Sequence, residues 1–139
     1  MKKIIFLLLL SIISCGYKWL ETVTGYDAND AKNGYAGIIG RNIYAIRIEQ
    51  YKFRVHIIGK GWGNEINPGG IGGDYINPID GIAISGTTYR VYADDHWLPS
   101  VSGYNPVYTI NGYAGNLGSP ISALMVKNAN YAAAIYAEN

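Results

Sequence analysis

Cysteine is almost absent from the chain: Cys15 is the only one in 139 residues. A disulfide framework is thereby excluded, and one unpaired thiol is left to explain. Histidine is scarce, with only His56 and His96, and no His or Cys spacing suits a zinc site. No Gly-x-Ser-x-Gly and no phosphate loop occurs. Charge is thin at 15% and nearly balanced, with a formal net charge of +1. After Lys2 and Lys3 no segment concentrates Lys and Arg. That argues against nucleic acid as a partner, because phosphate binding needs a clustered basic face. The one long apolar run, from Ile4 to Ile13, is about ten residues, whereas a membrane-spanning helix needs roughly 20.

That run follows the basic start Met1-Lys2-Lys3 and reads as a secretory signal over residues 1–14. Its end, Ile12-Ile13-Ser14-Cys15, resembles the lipobox of bacterial lipoproteins. The resemblance implies that Cys15 is lipidated and becomes the new N-terminus. An exported, lipid-anchored protein is then expected, held on a bacterial cell membrane or outer membrane and facing the surface or the periplasm. The unpaired thiol acquires a reason, since two or more acyl chains at one site give stable anchoring. Removing Lys2 and Lys3 leaves nine basic and ten acidic side chains, so the mature domain is close to neutral.

What the chain does have is glycine and aromatics: eighteen Gly, thirteen Tyr and three Trp. With 49% hydrophobic residues it is globular, and the glycines fit many short turns better than long helices. Asn33-Gly34-Tyr35-Ala36-Gly37 recurs as Asn111-Gly112-Tyr113-Ala114-Gly115, with Gly70-Ile71-Gly72-Gly73 as a worn copy between them. From these anchors Gly34 to Ile48, Gly70 to Ile84 and Gly112 to Val126 align without gaps. Ile46-x-Ile48, Ile82-x-Ile84 and Leu124-x-Val126 end each copy in an alternating strand with one buried face. Phe53–Ile58, Tyr89–Ala93 and Tyr131–Tyr136 stand at equal distances beyond and are equivalent leading strands. Ser85-Gly86-Thr87-Thr88 reads as a hairpin turn joining two such strands. Trp19, Trp62 and Trp97 fall one per copy. From Trp to the first glycine is 15 residues in copies one and three and eight in copy two, so the middle copy lacks a loop. The first copy has no leading strand, and the C-terminal strand has no copy after it.

These observations predict one all-β domain over residues 15–139, with copies at about 17–50, 51–86 and 87–128. The expected fold is a three-fold pseudo-symmetric, β-trefoil-like domain closed by a C-terminal strand at 129–137. A β-prism is the alternative. The alanines of 129–137 favour helix by propensity, but the repeat alignment outweighs them.

The pattern resembles the clostridial hydrophobic Trp-containing repeat family. Copy two carries the likeness in Phe53-Arg54-Val55-His56, Gly61-Trp62, Gly72-Gly73 and Ile79-Asp80-Gly81-Ile82-Ala83-Ile84. Copies one and three resemble a variant with Trp-Leu, Val-x-Gly-Tyr and Asn-Gly-Tyr-Ala-Gly, of a kind associated with extra modules on bacterial cell-wall hydrolases and peptidases. The resemblance implies a surface binding or adhesion module, not chemistry.

Candidate ligand residues are the aromatic and amide side chains of the long loops: Tyr26, Asp27, Asn33 and Tyr35, and their counterparts Tyr104, Asn105, Asn111 and Tyr113. Rings beside Asn and Asp suit sugar faces. Two sites are expected, in copies one and three. The expected function is non-enzymatic binding of glycan or cell-wall polymer by a lipid-anchored surface protein. A protein-interaction module, adhesin or protease inhibitor, is the alternative, with a host surface protein as its partner. No cofactor and no metal are expected. Asp27, Asn29 and Asp30 have some of the alternation of a calcium loop, but Ala31 stands at its third ligand position, and Asx turns explain the same residues. Asp94-Asp95-His96 reads as a charged turn. A hydrolase built on His56, Asp80 and His96 is the least favoured reading.

Overall fold

The computed structural model describes residues 16–136. The signal, the lipidation site Cys15 and the last residues, 137–139, lie outside the described residues. Within them the chain is all-β, with no helix. Eleven strands follow in order: β1 (Tyr17–Trp19), β2 (Ala36–Gly37), β3 (Ile43–Ile48), β4 (Phe53–Ile57), β5 (Gly61–Trp62), β6 (Ile71–Gly72), β7 (Ile79–Ile84), β8 (Tyr89–Ala93), β9 (His96–Trp97), β10 (Ala123–Val126) and β11 (Tyr131–Tyr136).

They form three sheets, ordered β1-β11-β3-β6, β9-β8-β10-β2 and β5-β4-β7. The parts correspond. In each sheet a short Trp strand pairs antiparallel with a leading strand, which pairs antiparallel with the strand that ends a copy. The registers agree residue by residue: Tyr131 opposes Ile48, Phe53 opposes Ile84, and Tyr89 opposes Val126. The glycine-bearing segment of a different copy comes next. β6 pairs with β3, β2 pairs with β10, and Ala114 bridges to Ile82 beside β7.

One core lies between the sheets. Its nine equivalent positions are Ile43, Ile46, Ile48, Ile79, Ile82, Ile84, Ile121, Leu124 and Val126, all fully buried. Phe53, Tyr89 and Tyr131 join them from the leading strands. Each such aliphatic side chain contributes roughly 1.5–3 kcal/mol when taken from water. The helix-prone alanines of β11 form the inner strand of their sheet, flanked by β1 and β3, where the ladder and burial on both faces override propensity.

One expected turn is different. Ser85-Gly86-Thr87-Thr88 joins β7 to β8, yet these strands belong to different sheets, so it is a crossing between sheets and not a hairpin. Its polar groups are taken up elsewhere: Ser85 N–H donates to the Lys52 carbonyl and the Thr87 hydroxyl donates to the Lys127 carbonyl.

The repeated glycines have a backbone reason. Gly37, Gly73 and Gly115 have φ of 111°, 116° and 125°. A Cβ there would collide with the carbonyl oxygen of Ser122, Tyr44 or Asp80 on the neighbouring strand. Only glycine meets both conditions.

Candidate ligand-binding site

The long loops of copies one and three are built alike. In copy one Gly25 N–H donates to the Asn33 carbonyl and Asp27 N–H to the Gly34 carbonyl. In copy three Asn105 N–H donates to the Gly112 carbonyl. Each loop is then tied to the core by one tyrosine. The Tyr131 hydroxyl donates to the Gly25 carbonyl at 2.8 Å, with the Gly34 carbonyl at 3.2 Å. The Tyr89 hydroxyl does the same to Gly103 at 2.7 Å, with Gly112 at 3.3 Å. Copy two has the short loop and carries Phe53 at this position. The hydroxyl occurs only where there is a loop to hold, a signal the sequence carries in Phe53 against Tyr89 and Tyr131.

The predicted ligand residues are largely occupied with this scaffold. Asn33 Oδ1 accepts from Thr24 N–H and Asn111 Oδ1 from Ser102 N–H, both at 2.8 Å. Asp27 and Asn105 form Asx turns, accepting from Asn29 N–H and Val107 N–H. Asp30 accepts from Lys32 N–H and Asn33 N–H, so the loop's carboxylates serve its own backbone. Tyr35 and Tyr113 are buried, each edge-on to a tryptophan of another copy: Tyr35 to Trp97 at 5.4 Å and Tyr113 to Trp62 at 5.2 Å. Tyr26 packs against the cluster of Tyr35, Ala123 and Met125 with the Lys127 ammonium 5.7 Å from its ring centre, and burial raises its hydroxyl pKa against the lowering effect of Arg90. The Tyr104 hydroxyl donates to Glu65 Oε1 at 2.7 Å. Burial first, then that carboxylate, pushes it up to about 12.

The open space lies beside these residues. In copy three a cleft of about 360 Å³ runs between the segment after Trp97 and the loop. Leu98, Ser100, Thr109, Ile110, Asn111 and Asn116 line it, and no charged side chain does. Copy one has the counterpart at the same place, about 160 Å³, walled by Leu20, Glu21, Lys32 and Tyr35. The wall from Leu98 to Val101 was absent from the expected site. Its sequence signal was the shared Trp-Leu-x-x-Val of Trp19-Leu20-Glu21-Thr22-Val23 and Trp97-Leu98-Pro99-Ser100-Val101.

A separate polar pair sits under Trp62. His56 Nδ1 is 2.6 Å from Asp80 Oδ1, and Asp80 Oδ2 accepts from Gly118 N–H at 2.7 Å. Asp80 is 1% exposed. The carboxylate thus pins the Asn116–Ser119 turn of copy three to the sheet of copy two. His96 lies in another sheet, where its Nδ1–H donates to the Asp94 carbonyl. Asp94 and Asp95 both have positive φ and form the two-residue turn between β8 and β9. The Asn116 amide bonded to Asp94 lowers its carboxyl pKa, with Ser119 assisting.

No family model, curated protein or solved structure matches the chain.

Proposed function

We propose that this is a non-enzymatic, lipid-anchored surface protein that binds glycan or cell-wall polysaccharide through the cleft of copy three. The observation that carries the reading is the chemistry of that cleft. The hydroxyls of Ser100 and Thr109 and the amide nitrogen of Asn111, whose oxygen is taken by Ser102 N–H, stand beside Leu98 and Ile110, with no charged side chain in the lining, in about 360 Å³. A neutral polyhydroxylated ring needs that mixture, and the volume falls in the usual range for small-ligand sites. The smaller, charged cleft of copy one is a weaker or differently specific site. The likeness to clostridial hydrophobic Trp-containing repeats supports a surface-binding role.

The finer architecture belongs to this reading. Three copies pass their glycine segments to one another in a ring, with β11 serving as the leading strand of copy one. Each ladder joining different copies runs from a copy's last strand to the glycine segment of the next, and the ladders stay within three sheets. Such pairing is nearer the prism alternative than a trefoil, whose copies join in one continuous barrel.

The test is binding of the purified full chain to a glycan array and to insoluble peptidoglycan. Wild-type protein is expected to bind, and Ser100→Trp, which fills the cleft from an exposed position, to lose binding with its melting temperature unchanged. Folded wild-type protein that binds neither probe overturns the reading. One observation favours the alternative, a protein partner. The crest of the copy-three loop exposes Val107, Tyr108 and Ile110 at 79%, 62% and 87%, where copy one has the more polar Asn29, Asp30 and Lys32. Capture from host extracellular matrix, abolished by Val107→Ser with Ile110→Ser, would select it.

A further inference from the structure

We propose that the outer face of the β1-β11-β3 sheet is the surface that lies against the lipid bilayer. The inference rests on the anchoring of Cys15 in the reading above.

The face is an aromatic cluster. The Tyr17 ring lies 5.6 Å from Tyr44, 5.3 Å from Tyr75 and 5.7 Å from Tyr136, and Trp19 lies 6.3 Å from Tyr75. Tyr136 is 47% exposed, and Ile76, next to Tyr75, is 71% exposed. Cations rim the cluster. Arg47 sits over Trp19, and Arg41 donates to the Tyr136 carbonyl. Lys60 pairs with Asp74 and Arg47 with Glu49. A cleft of about 190 Å³ between Arg41, Asn42, Tyr44 and Tyr136 opens beside the cluster.

The fold does not require these tyrosines. The three copies supply the control, because every position has two counterparts. Tyr17 corresponds to Lys60 and Asp95, Tyr44 to Asp80 and Ser122, Tyr75 to Leu117 and Ile39, and Tyr136 to Ile58 and Asp94. Neither counterpart is aromatic in any of the four. The tyrosines gather on one face only, and it is the face from which the chain leads to Cys15.

Distance then selects the occupant. Tyr17 stands two positions after Cys15, with only Gly16 between them, a reach of at most about 7 Å in extended chain. The polar layer on each side of a bilayer is roughly 5–7 Å thick. A chain acylated at Cys15 therefore holds Tyr17 at the level of the headgroups, and the face around it cannot stand off. Tyr and Trp with Arg at the rim is the composition that partitions to that layer, ring in the apolar boundary and hydroxyl in water. Arg41 stands where a lipid phosphate would meet it.

The experiment reconstitutes acylated full-length protein in phosphatidylcholine vesicles brominated on the acyl chains near the headgroup. Three proteins each keep one tryptophan, the other two replaced by phenylalanine. Trp19 is expected to be quenched several-fold more than Trp62 or Trp97. A second measurement needs no tryptophan change: amide exchange of residues 73–78 is expected to slow in the vesicle-bound chain relative to Cys15→Ser in solution, while residues 106–110 exchange alike in both. Acylated protein with equal quenching and equal exchange overturns this inference and leaves the anchor standing. Mass spectrometry that finds no acyl group on protein from its native membrane overturns both.

Discussion

Replacing Tyr89 with phenylalanine removes one oxygen from a fully buried ring and tests how the long loop of copy three is held. The Tyr89 hydroxyl has a single proton, which goes to the Gly103 carbonyl at 2.7 Å; the Gly112 carbonyl at 3.3 Å is the weaker acceptor and also accepts from Asn105 N–H. The substitution therefore leaves one carbonyl without its donor. A lost hydrogen bond costs about 1 kcal/mol, and a buried acceptor left unpaired about 1–3 kcal/mol. We expect a loss of roughly 1–2 kcal/mol, or roughly 3–10 °C in melting temperature for a domain of this size. Calorimetry gives the stability, and exchange of the Asn105 and Gly112 amides reports whether the loop has loosened. Tyr131→Phe should behave alike through Gly25. Phe53→Tyr should do the reverse of a rescue. Its ring tip faces the Gly72 backbone, and copy two has no loop carbonyl waiting, so an added hydroxyl is buried unpaired at roughly 1–3 kcal/mol. The pH dependence follows. Burial pushes the Tyr89 and Tyr131 hydroxyls up to about 12, against about 10 in an unfolded chain. A pKa raised on folding stabilises fully below pH 10, and that contribution is lost as pH climbs from about 10 towards 12. Tyr89→Phe should flatten this alkaline limb. If Tyr89→Phe and Phe53→Tyr both melt with wild type, the hydroxyl does not hold the loop and the reasoning is wrong.

Gly115→Ala combines a φ of 125° with a collision against the Asp80 carbonyl, and should abolish soluble expression or cost more than about 3 kcal/mol by denaturant titration. His56→Ala leaves Asp80 buried with only the Gly118 amide. A loss of roughly 2–4 kcal/mol is expected, below that of a fully buried pair because His56 is 18% exposed. Glycan binding should be unchanged at temperatures where that variant is folded, and loss of binding there would return the His56–Asp80 pair to the functional site. Burial alone would raise the Asp74 carboxyl. Donors from Asn77, Lys60 and Ile76 outweigh it and hold the group well below the ordinary carboxylate range. A pKa lowered on folding stabilises above about 3.8 and is lost as pH falls, so the protection of the amides of residues 73–78, measured against the unfolded-chain exchange rate at the same pH, should fall in acid, and Asp74→Asn should remove that dependence.

How much of this was legible varies with how local the signal is. The strand positions were, because alternation of Ile and Val at fixed distances from the repeated glycines leaves one burial pattern. Phe53, Tyr89 and Tyr131 take corresponding places in three registers, as their spacing required. The alanines of β11 were rescued by alignment, not by propensity. Turn chemistry misled at Ser85-Gly86-Thr87-Thr88, because a turn does not encode which sheet the next strand will join.

The sequence by itself determined the all-β class, the three copies, the glycines and the missing loop, since each follows from short-range spacing and from what a backbone without Cβ can do. It also placed the unusual loops in copies one and three. Only the tertiary structure decided which way their side chains turn. Tyr35 and Tyr113 look like sugar platforms until the copies are assembled, when each meets a tryptophan from a different copy and is buried. Asn33 and Asn111 look like ligand amides until their oxygens find Thr24 and Ser102. A side-chain amide that can reach a backbone N–H of its own loop bonds there first, even at the surface, and its oxygen is then no longer open to a ligand. The cleft is what remains once that is done.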